Sequence, residues 1–296
     1  MQQTEIVGLQ TFVTVVEVSS FSRAAEKLDS TTAAVSRRVA SLEKRLGTRL
    51  LNRTTRSMSL TEAGERYYRD IVDILRALEE ADARAAGEAA DPTGTLRITA
   101  PLSFGIRRLG PVLSEFMELH PHLRVLLHLD DGYRDIISEG LDVAIRIGEL
   151  KESTLIARRI TNVRRYLCAS PDYLARKGVP STPVDLANHA CLHYNNILLR
   201  EEWTLTGPDG PETVAVSGPL SANNGDVLRE AAIRSQGIVI LPDFLSEEDL
   251  EQGRLERILT DYSPSDFGLY AVWASRNFTP TKIRTLVDFL IEKFSG

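Results

Sequence analysis

The tightest constraint on this chain lies in residues 21–64, where short helices, turn residues and arginines follow one another in a fixed order. Just ahead of it, Ile6, Leu9, Phe12, Val13 and Val16 recur at spacings of three and four, which keeps them on one face of a first helix. Ser20 or Ser22 then stands where a cap belongs for a second, short helix carrying Ala24, Ala25 and Leu28, residues that let a crossing helix approach closely. After a turn at Asp29-Ser30, Thr31 caps a third helix, with Ala34, Val35, Val39, Leu42 and Leu46 inward and Gly47 as its stop.

The other face of the third helix carries Thr31, Thr32, Ala33, Ser36, Arg37 and Arg38, short side chains and guanidinium groups suited to base edges and phosphates. Ser22 and Arg23, at the head of the second helix, join them as candidate DNA contacts. From Arg49 to Leu60, apolar residues surround a polar tip, the pattern of a two-stranded wing in which Arg53, Thr54 and Arg56 are placed to hold phosphates. Residues 20–58 hold nine lysines and arginines against three acids, in a chain whose net charge is −6. Attraction for phosphate is thereby concentrated in one segment of an otherwise acidic protein. A single basic run is often only a solvated helix face. Here the small-residue helix, the capped arginine helix, the glycine stop and the wing occur consecutively, which points to a DNA-reading head.

On these residues the chain resembles the LysR-type transcriptional regulators. The resemblance runs through Phe21-Ser22, Ala24-Ala25 with Leu28, Ala34-Val35-Ser36-Arg37 with Leu42-Glu43, Arg53-Thr54, and Leu60-Thr61-Glu62-Ala63-Gly64. Two positions depart from the family pattern: Asp29 stands where Gly is usual, and Thr32 where Gln is common near the start of the recognition helix. The first bears on the turn, and the second points to a different base preference.

Thr61 is placed to cap a long helix with Glu62 and Glu65 in its first turn. Along it Tyr67, Ile71, Ile74, Leu78, Ala81 and Ala85 alternate in steps of four and three, the period of a coiled-coil seam or of an amphipathic helix packed on its own domain. Its position between the head and a linker, Gly87 to Gly94, favours the seam, with Tyr67, Ile71, Ile74 and Leu78 as dimer contacts. Two heads related by a twofold would read an inverted-repeat site.

A length of 296 residues suggests two domains, and the composition is that of a globular protein. Neither a signal peptide nor a membrane anchor is expected, because no Lys or Arg precedes Arg23 and no apolar run approaches about 18 residues. The expected location is the cytoplasm, which also fits two cysteines, Cys168 and Cys191, without CxxC spacing.

From Leu96 onward, strands alternate with helices in the pattern of a mostly parallel sheet covered on both faces. The clearest strands are Leu96–Thr99, Leu123–Leu129, Val143–Ile147 and Gly237–Pro242, with helices at Leu109–Leu119, Tyr133–Glu139 and Thr281–Phe294. The LysR resemblance continues through Gly94–Pro101, Leu141–Gly148, Ala169–Leu174, Ala222–Gly225 and Ile240–Pro242. It implies two α/β lobes of the periplasmic-binding-protein type with a small effector between them, the chain crossing outward near Arg165–Ala169 and returning near Leu269–Ala274.

The expected architecture is therefore an N-terminal winged helix-turn-helix (1–60), a long dimerisation helix (61–90) and a two-lobed α/β effector domain (91–296). Lobe 1 takes residues 95–165 and 269–296, and lobe 2 takes 166–268. Ligands of open α/β sheets sit beyond the carboxyl ends of strands. Those ends supply Ser103 and Phe104, then Asp130 and Asp131, then Arg146 and Gly148, with Asn223, Asn224 and Pro242 from lobe 2. Asp130, where the family often has Ser or Thr, disfavours an anionic group at that spot, so the effector need not be a carboxylate. N-capping is the competing role for each polar residue taken singly.

Other functions find less in the sequence. His189, Cys191 and His193 alternate onto one strand face, but such neighbours seldom complete a metal shell by themselves, and no metal or other cofactor is expected. Arg164 and Arg165 lie near Cys168 without making an evident redox site. A secreted solute-binding protein would lack the reading head, and no nucleophile elbow, Walker loop, dinucleotide fingerprint or HExxH motif marks an enzyme. The expected partners are double-stranded DNA, a small-molecule effector and a second copy of the chain, as a dimer or tetramer, with a contact to RNA polymerase left open.

Overall fold

The computed structural model describes residues 3–53, 58–85, 91–132, 136–137, 139–150, 153–195, 202–274 and 279–295. The chain divides into two compact units, Met1–Ala90 and Asp91–Gly296.

The first unit runs α1 (Gln3–Val18), α2 (Phe21–Lys27), α3 (Thr32–Leu46), β1 (Leu51–Arg53), β2 (Met58–Leu60) and α4 (Glu62–Ala85). Its core gathers Leu9, Phe12, Val15, Ala24, Ala25, Val35, Val39, Leu42, Leu50, Leu51 and Ile71. On α1 the buried stripe lies one residue round from the expected one: Val15 is fully buried, while Val13 and Val16 flank the core. Thr11 and Thr14 share that face because their hydroxyls donate back to the carbonyls of Val7 and Gln10, at 2.6 and 2.9 Å.

Local signals then set each boundary. Ser20, not Ser22, caps α2, its Oγ accepting the Arg23 N–H at 3.4 Å. Thr31 caps α3 by accepting the Ala34 N–H at 3.2 Å. Gly47 closes α3 at φ 66°, and Asp29 turns the chain at φ 45°. That left-handed conformation is what a glycine adopts freely, and Asp is among the few residues that tolerate it. β1 and β2 pair antiparallel as the wing, Leu51 opposite Leu60. Glu43 fastens the wing to α3 by accepting the N–H groups of Leu50 and Leu51 at 2.9 and 3.1 Å. Thr61 donates to the Arg49 carbonyl at 2.8 Å and accepts the Gly64 N–H at 2.9 Å, capping α4.

The start of α4 packs on its own head. The rings of Tyr67 and Tyr68 lie 5.9 and 6.4 Å from that of Phe12, and Ile71 is buried beside them. Tyr67 and Ile71 thus serve the head's core, which corrects their reading as seam residues. Ile74 and Leu78 stay exposed, at 49% and 39%. The side chain of Ala85 and residues 86–90, which include the first part of the expected linker, lie outside the described residues.

The second unit begins with β3 (Gly94–Ala100), α5 (Leu102–Phe104), a π-helical turn at Gly105–Leu109, α6 (Gly110–Leu119), β4 (Leu123–Leu129), β5 (Val143–Gly148) and β6 (Leu155–Val163). It continues with β7 (Arg165–Ala169), α7 (Pro171–Lys177), a 3₁₀ turn at Pro183–Asn188, β8 (Cys191–Tyr194), β9 (Glu202–Gly207), β10 (Gly210–Ala215), β11 (Ser221–Ala222) and α8 (Gly225–Ile233). It ends with β12 (Ile238–Pro242), α9 (Asp243–Glu251), β13 (Glu256–Arg257), β14 (Ser263–Pro264), β15 (Phe267–Ala274) and α10 (Thr281–Phe294).

Lobe 1 holds the five-stranded sheet β4-β3-β5-β15-β6, and lobe 2 the five-stranded sheet β11-β8-β12-β7-β13 beside a smaller β10-β9-β14 sheet. Four of the five strands in each large sheet run one way, as the mostly parallel pattern predicts, and a single strand opposes them: β15 runs antiparallel to β5 and β6, and β7 antiparallel to β12 and β13. A chain that crosses between lobes twice brings in strands of the opposite sense. The outward crossing is Arg164, between β6 and β7, and the return is Ser265-Asp266, ahead of the expected Leu269–Ala274, which lie inside β15. The helix expected at Tyr133–Glu139 is also corrected: Ile136, Ile137 and Glu139 lie in turns, and residues 133–135 and 138 lie outside the described residues.

Two glycines of the head should respond oppositely to alanine. A Cβ on Gly64 would stand 2.0 Å from the Leu50 carbonyl oxygen, whereas one on Gly8, within α1, meets nothing within 4 Å. Gly64→Ala is expected to destabilise the head by about 1–3 kcal/mol or more, and Gly8→Ala to stabilise it by about 0.5–1 kcal/mol, in urea unfolding followed by circular dichroism. Equal effects of the two changes would refute this reading of the α4 junction.

Candidate functional site

The exposed face of α2 and α3 carries most of the DNA-contact candidates. Ser22, Arg23, Thr31, Thr32, Ala33 and Arg37 are exposed, while Ser36 and Arg38 are half-buried. Arg23, Arg37 and Arg38 form no ion pair among the described residues, whereas Lys27 is engaged by Glu17 at 3.1 Å and Arg45 reaches the Tyr67 hydroxyl at 3.5 Å. Free guanidinium groups on a helix face, beside a capped helix N-terminus, are ready to receive phosphate or guanine. The Thr31 hydroxyl is already engaged in capping. Arg53 ends β1, but its side chain, with Thr54 and Arg56 entirely, lies outside the described residues.

In the second unit, strand ends bring groups from both lobes into direct contact. β3 ends at Ala100, and after Pro101 α5 presents Ser103, 6% exposed, whose Oγ donates to Asp226 Oδ2 at 2.5 Å. Asp226 Oδ1 accepts from Arg107 Nη2 at 2.8 Å. Asp131, beyond β4, accepts the Leu102 N–H on Oδ1 at 2.9 Å and the Asn224 side-chain amide on Oδ2 at 2.7 Å. Asn224 Oδ1 caps α8 by accepting the N–H groups of Asp226 and Val227, at 3.0 and 3.3 Å. Two helix starts, one from each lobe, are thus joined by carboxylates on groups that favour negative charge. A second link ties Arg108 to Glu247 at 2.7 Å, and the Phe104 and Phe244 rings meet edge-on at 5.5 Å.

Arg107 reaches Asp226 from the π-helical turn. Pro111 has no N–H to give the Arg107 carbonyl, and the Gly110 N–H instead reaches back five residues to Gly105. The widened turn sets Ser103 and Arg107 on the same carboxylate. Burial works against the Asp226 charge, but hydrogen bonds from Ser103 and Arg107, with the charges of Arg107 and Arg229, more than offset it and hold its pKa below the ordinary value. Tyr194, at the end of β8, has its phenol raised by burial and by Asp131 and Asp226, against a hydrogen bond from Gly225, and so stays neutral.

Of the expected effector contacts, Ser103, Asp131 and Asn224 meet directly. Asp130 turns inward to accept the Gly132 N–H at 2.7 Å, and Arg146 donates to the Gly132 carbonyl at 3.3 Å, so both brace the same loop. Asn223 is exposed beside Asn224, and Pro242 ends β12 opposite Arg165. Gly148, at φ 136°, pairs with Gly268. Phe104 is corrected to a core residue: its ring is 3% exposed between those of Phe244 and Phe294. Asp226, Arg107 and Tyr194 escaped the sequence reading. The signal for Asp226 was its place in the acidic first turn after the Asn224 cap. Arg107 had only its spacing of four from Ser103.

No group of three His, Cys, Asp or Glu residues among those described is arranged to hold a metal. His189 instead meets the Tyr173 hydroxyl at 3.3 Å, and His193 lies against Trp203. Burial raises the thiols of Cys168 and Cys191 to about 12, leaving both protonated at neutral pH. No helix among the described residues is long and apolar enough to cross a membrane.

Comparison with known proteins agrees with both units. Residues 6–65 match the family described as bacterial regulatory helix-turn-helix protein, lysR family, and residues 89–295 match the LysR substrate binding domain. The chain belongs to the LysR family of transcriptional regulators. It is 37% identical over 295 residues to the HTH-type transcriptional regulator CrgA of Neisseria meningitidis serogroup B, covering 99% of this chain and 98% of that protein. It is 34% identical to the HTH-type transcriptional regulator DmlR of Escherichia coli, over 97% and 94% of the two chains. The solved structure of Neisseria meningitidis CrgA superposes with a TM-score of 0.62 at 36% identity, over 98% of this chain and 99% of that one. The full-length Vibrio cholerae virulence activator AphB gives 0.60 at 32%, over 97% and 98%.

Asp226→Asn should loosen the contact between the lobes. The expected result is faster hydrogen exchange at residues 103–107 and 224–228, with exchange in the head unchanged. Because the folded pKa is depressed, the ion pair's contribution is present above the ordinary carboxylate value of 3.8 and is lost as pH falls through the lower folded value. Acidification should reproduce the loosening only below that range. Unaltered exchange at neutral pH would show that Asp226 does not hold the lobes together.

Proposed function

We propose that this regulator binds an inverted-repeat operator as a homodimer, with α3 in the major groove, and that a small molecule between the two lobes modulates its binding or its effect on transcription. The observation that carries the DNA reading is the set of free cations, Arg23, Arg37 and Arg38, on the exposed edge of two capped helices over a rigid core. Arg37 reads base edges, Arg53 with Thr54 and Arg56 holds the backbone, and Ile74 with Leu78 forms the dimer seam. The effector enters between Ser103, Asp131 and Arg107 of lobe 1 and Asn223, Asn224, Asp226 and Tyr194 of lobe 2 when the direct links that join these groups open. It acts by its differential affinity for arrangements with these links made or broken. The cytoplasm is the compartment where such a protein meets its operator.

The operator reading is tested by selecting bound duplexes from a random pool, then titrating the selected and random duplexes. Arg37→Ala should weaken binding to the selected site by about 1–3 kcal/mol and relax preference at one position, while binding to random DNA changes little. Equal losses on both would place Arg37 on the phosphate backbone instead.

Leu78→Asp places a charge on each side of the proposed twofold and should dissociate the dimer in sedimentation velocity, with the fold of the head retained. A dimer that survives the change would put the seam elsewhere.

A further inference from the structure

A separate cavity of about 210 Å³ lies where the chain crosses between the lobes, away from the Ser103–Asp226 contact. It is smaller than the clefts that take drug-sized ligands. Its floor includes the buried side chains of Leu167 and Ile258, and its walls carry Arg164, Arg165 and Arg257 against a single carboxylate, Asp266. Thr260, Tyr262 and Ser263 add hydroxyl groups.

The three guanidinium groups are not equivalent. Arg165 is committed: it donates to the Ser265 carbonyl at 2.8 Å, lies 3.6 Å from the centre of the Phe267 ring and has Asp266 and Glu149 as countercharges. Asp266 is thereby matched to Arg165. Arg257 stacks 3.9 Å from the centre of the Tyr166 ring, and neither it nor Arg164 forms a side-chain ion pair or hydrogen bond among the described residues. Two unpaired cations facing one small cavity, with hydroxyls beside them and an apolar floor beneath, make up the donor set that a compact oxyanion requires.

We propose that this crossover cavity is a second ligand site, distinct from the interlobe cleft, that takes the phosphate or carboxylate group of a small anion between Arg164 and Arg257. Arg164 is the residue of the outward crossing, Arg257 belongs to the edge strand of lobe 2, and Ser263 leads into the return crossing. An anion held between them joins both crossing segments to lobe 2. It thereby biases the hinge without entering the cleft.

The test is calorimetric titration of the full chain with inorganic phosphate and, separately, butyrate, at constant ionic strength set by chloride. The site predicts saturable binding of at least one of the two anions. The Arg164→Gln/Arg257→Gln double variant should weaken that binding about tenfold or more, since both charged donors to the anion are lost. Arg158→Gln, which removes an equal type of charge from the surface pair with Asp288, is the control and should bind as wild type. Phosphate binding alone identifies a phosphate site, and butyrate binding alone a carboxylate site. Binding of equal strength in the double variant would assign the anion to the basic head, and the absence of saturable binding of either anion to wild type would overturn the proposal. Circular dichroism of each variant checks that it is folded.

Discussion

The short contact between Ser103 and Asp226 joins residues 123 positions apart and ties the two lobes of the second unit to each other. Asp226 sits in the first turn of α8, where the helix field favours a carboxylate, and the same carboxylate receives Ser103 and Arg107 from the other lobe. Asn224 and Asp131 repeat the arrangement from the opposite direction, a cap of α8 donating to the carboxylate that anchors the start of α5. Each helix start is held by its own lobe and by the other. The polar groups that would otherwise need water when the lobes approach are satisfied by one another.

The strength of these links differs from that of the charged pairs within each lobe. Arg107 and Asp226 retain 30% and 37% of their side-chain exposure, so solvent screens the pair and its net contribution is about 0–1 kcal/mol. Asp249, by contrast, is wholly buried in lobe 2 and takes guanidinium groups from both Arg229 and Arg254. Lys282 is equally buried in lobe 1, 2.8 Å from Asp142, with the Thr95 carbonyl as a further acceptor. Breaking such a buried pair leaves an uncompensated charge and costs about 3–5 kcal/mol. Charges inside the lobes therefore fix each body, and the weaker pair between them lies within reach of a ligand, for which about 1.4 kcal/mol of differential affinity is a tenfold shift in population.

What could be read from the sequence was whatever has a local cause. Thr31, Gly47 and Thr61 mark helix ends because a hydroxyl two or three residues ahead of an N–H, or a glycine at positive φ, acts within one turn of chain. The exposed face of α3, which carries the candidate DNA contacts, was legible for the same reason, since helix periodicity leaves only one face away from the core. The cleft was legible only as strand ends. Ser103, Asp131 and Asn224 came from that rule, and so did Phe104, which turned inward because the Phe244 and Phe294 rings wait on its other side. Arg107 and Asp226 acquire their meaning from each other across 119 residues, a pairing no local pattern encodes. The antiparallel sense of β7 and β15 likewise follows from the double crossing, which strand propensity does not register.

The stripe along α4 was ambiguous because it is two rows read as one. Tyr67, Ile71 and Leu75 follow one another at intervals of four and turn toward Phe12 and the head's core. Ile74 and Leu78, also four apart, occupy the adjacent row and remain exposed. Rows at intervals of four drift round a 3.6-residue helix, so steps of four and three drawn from both rows imitate a single seam. The division has a mechanical consequence in the proposed dimer. One continuous helix is clamped to the reading head by its first turns and to its twofold mate by later ones, without a joint between the two attachments. Packing at Phe12 then sets the angle at which α3 is presented, and packing at Leu78 sets the distance between the two copies of α3. The spacing of the operator's half-sites is in that case fixed by side chains that never touch DNA.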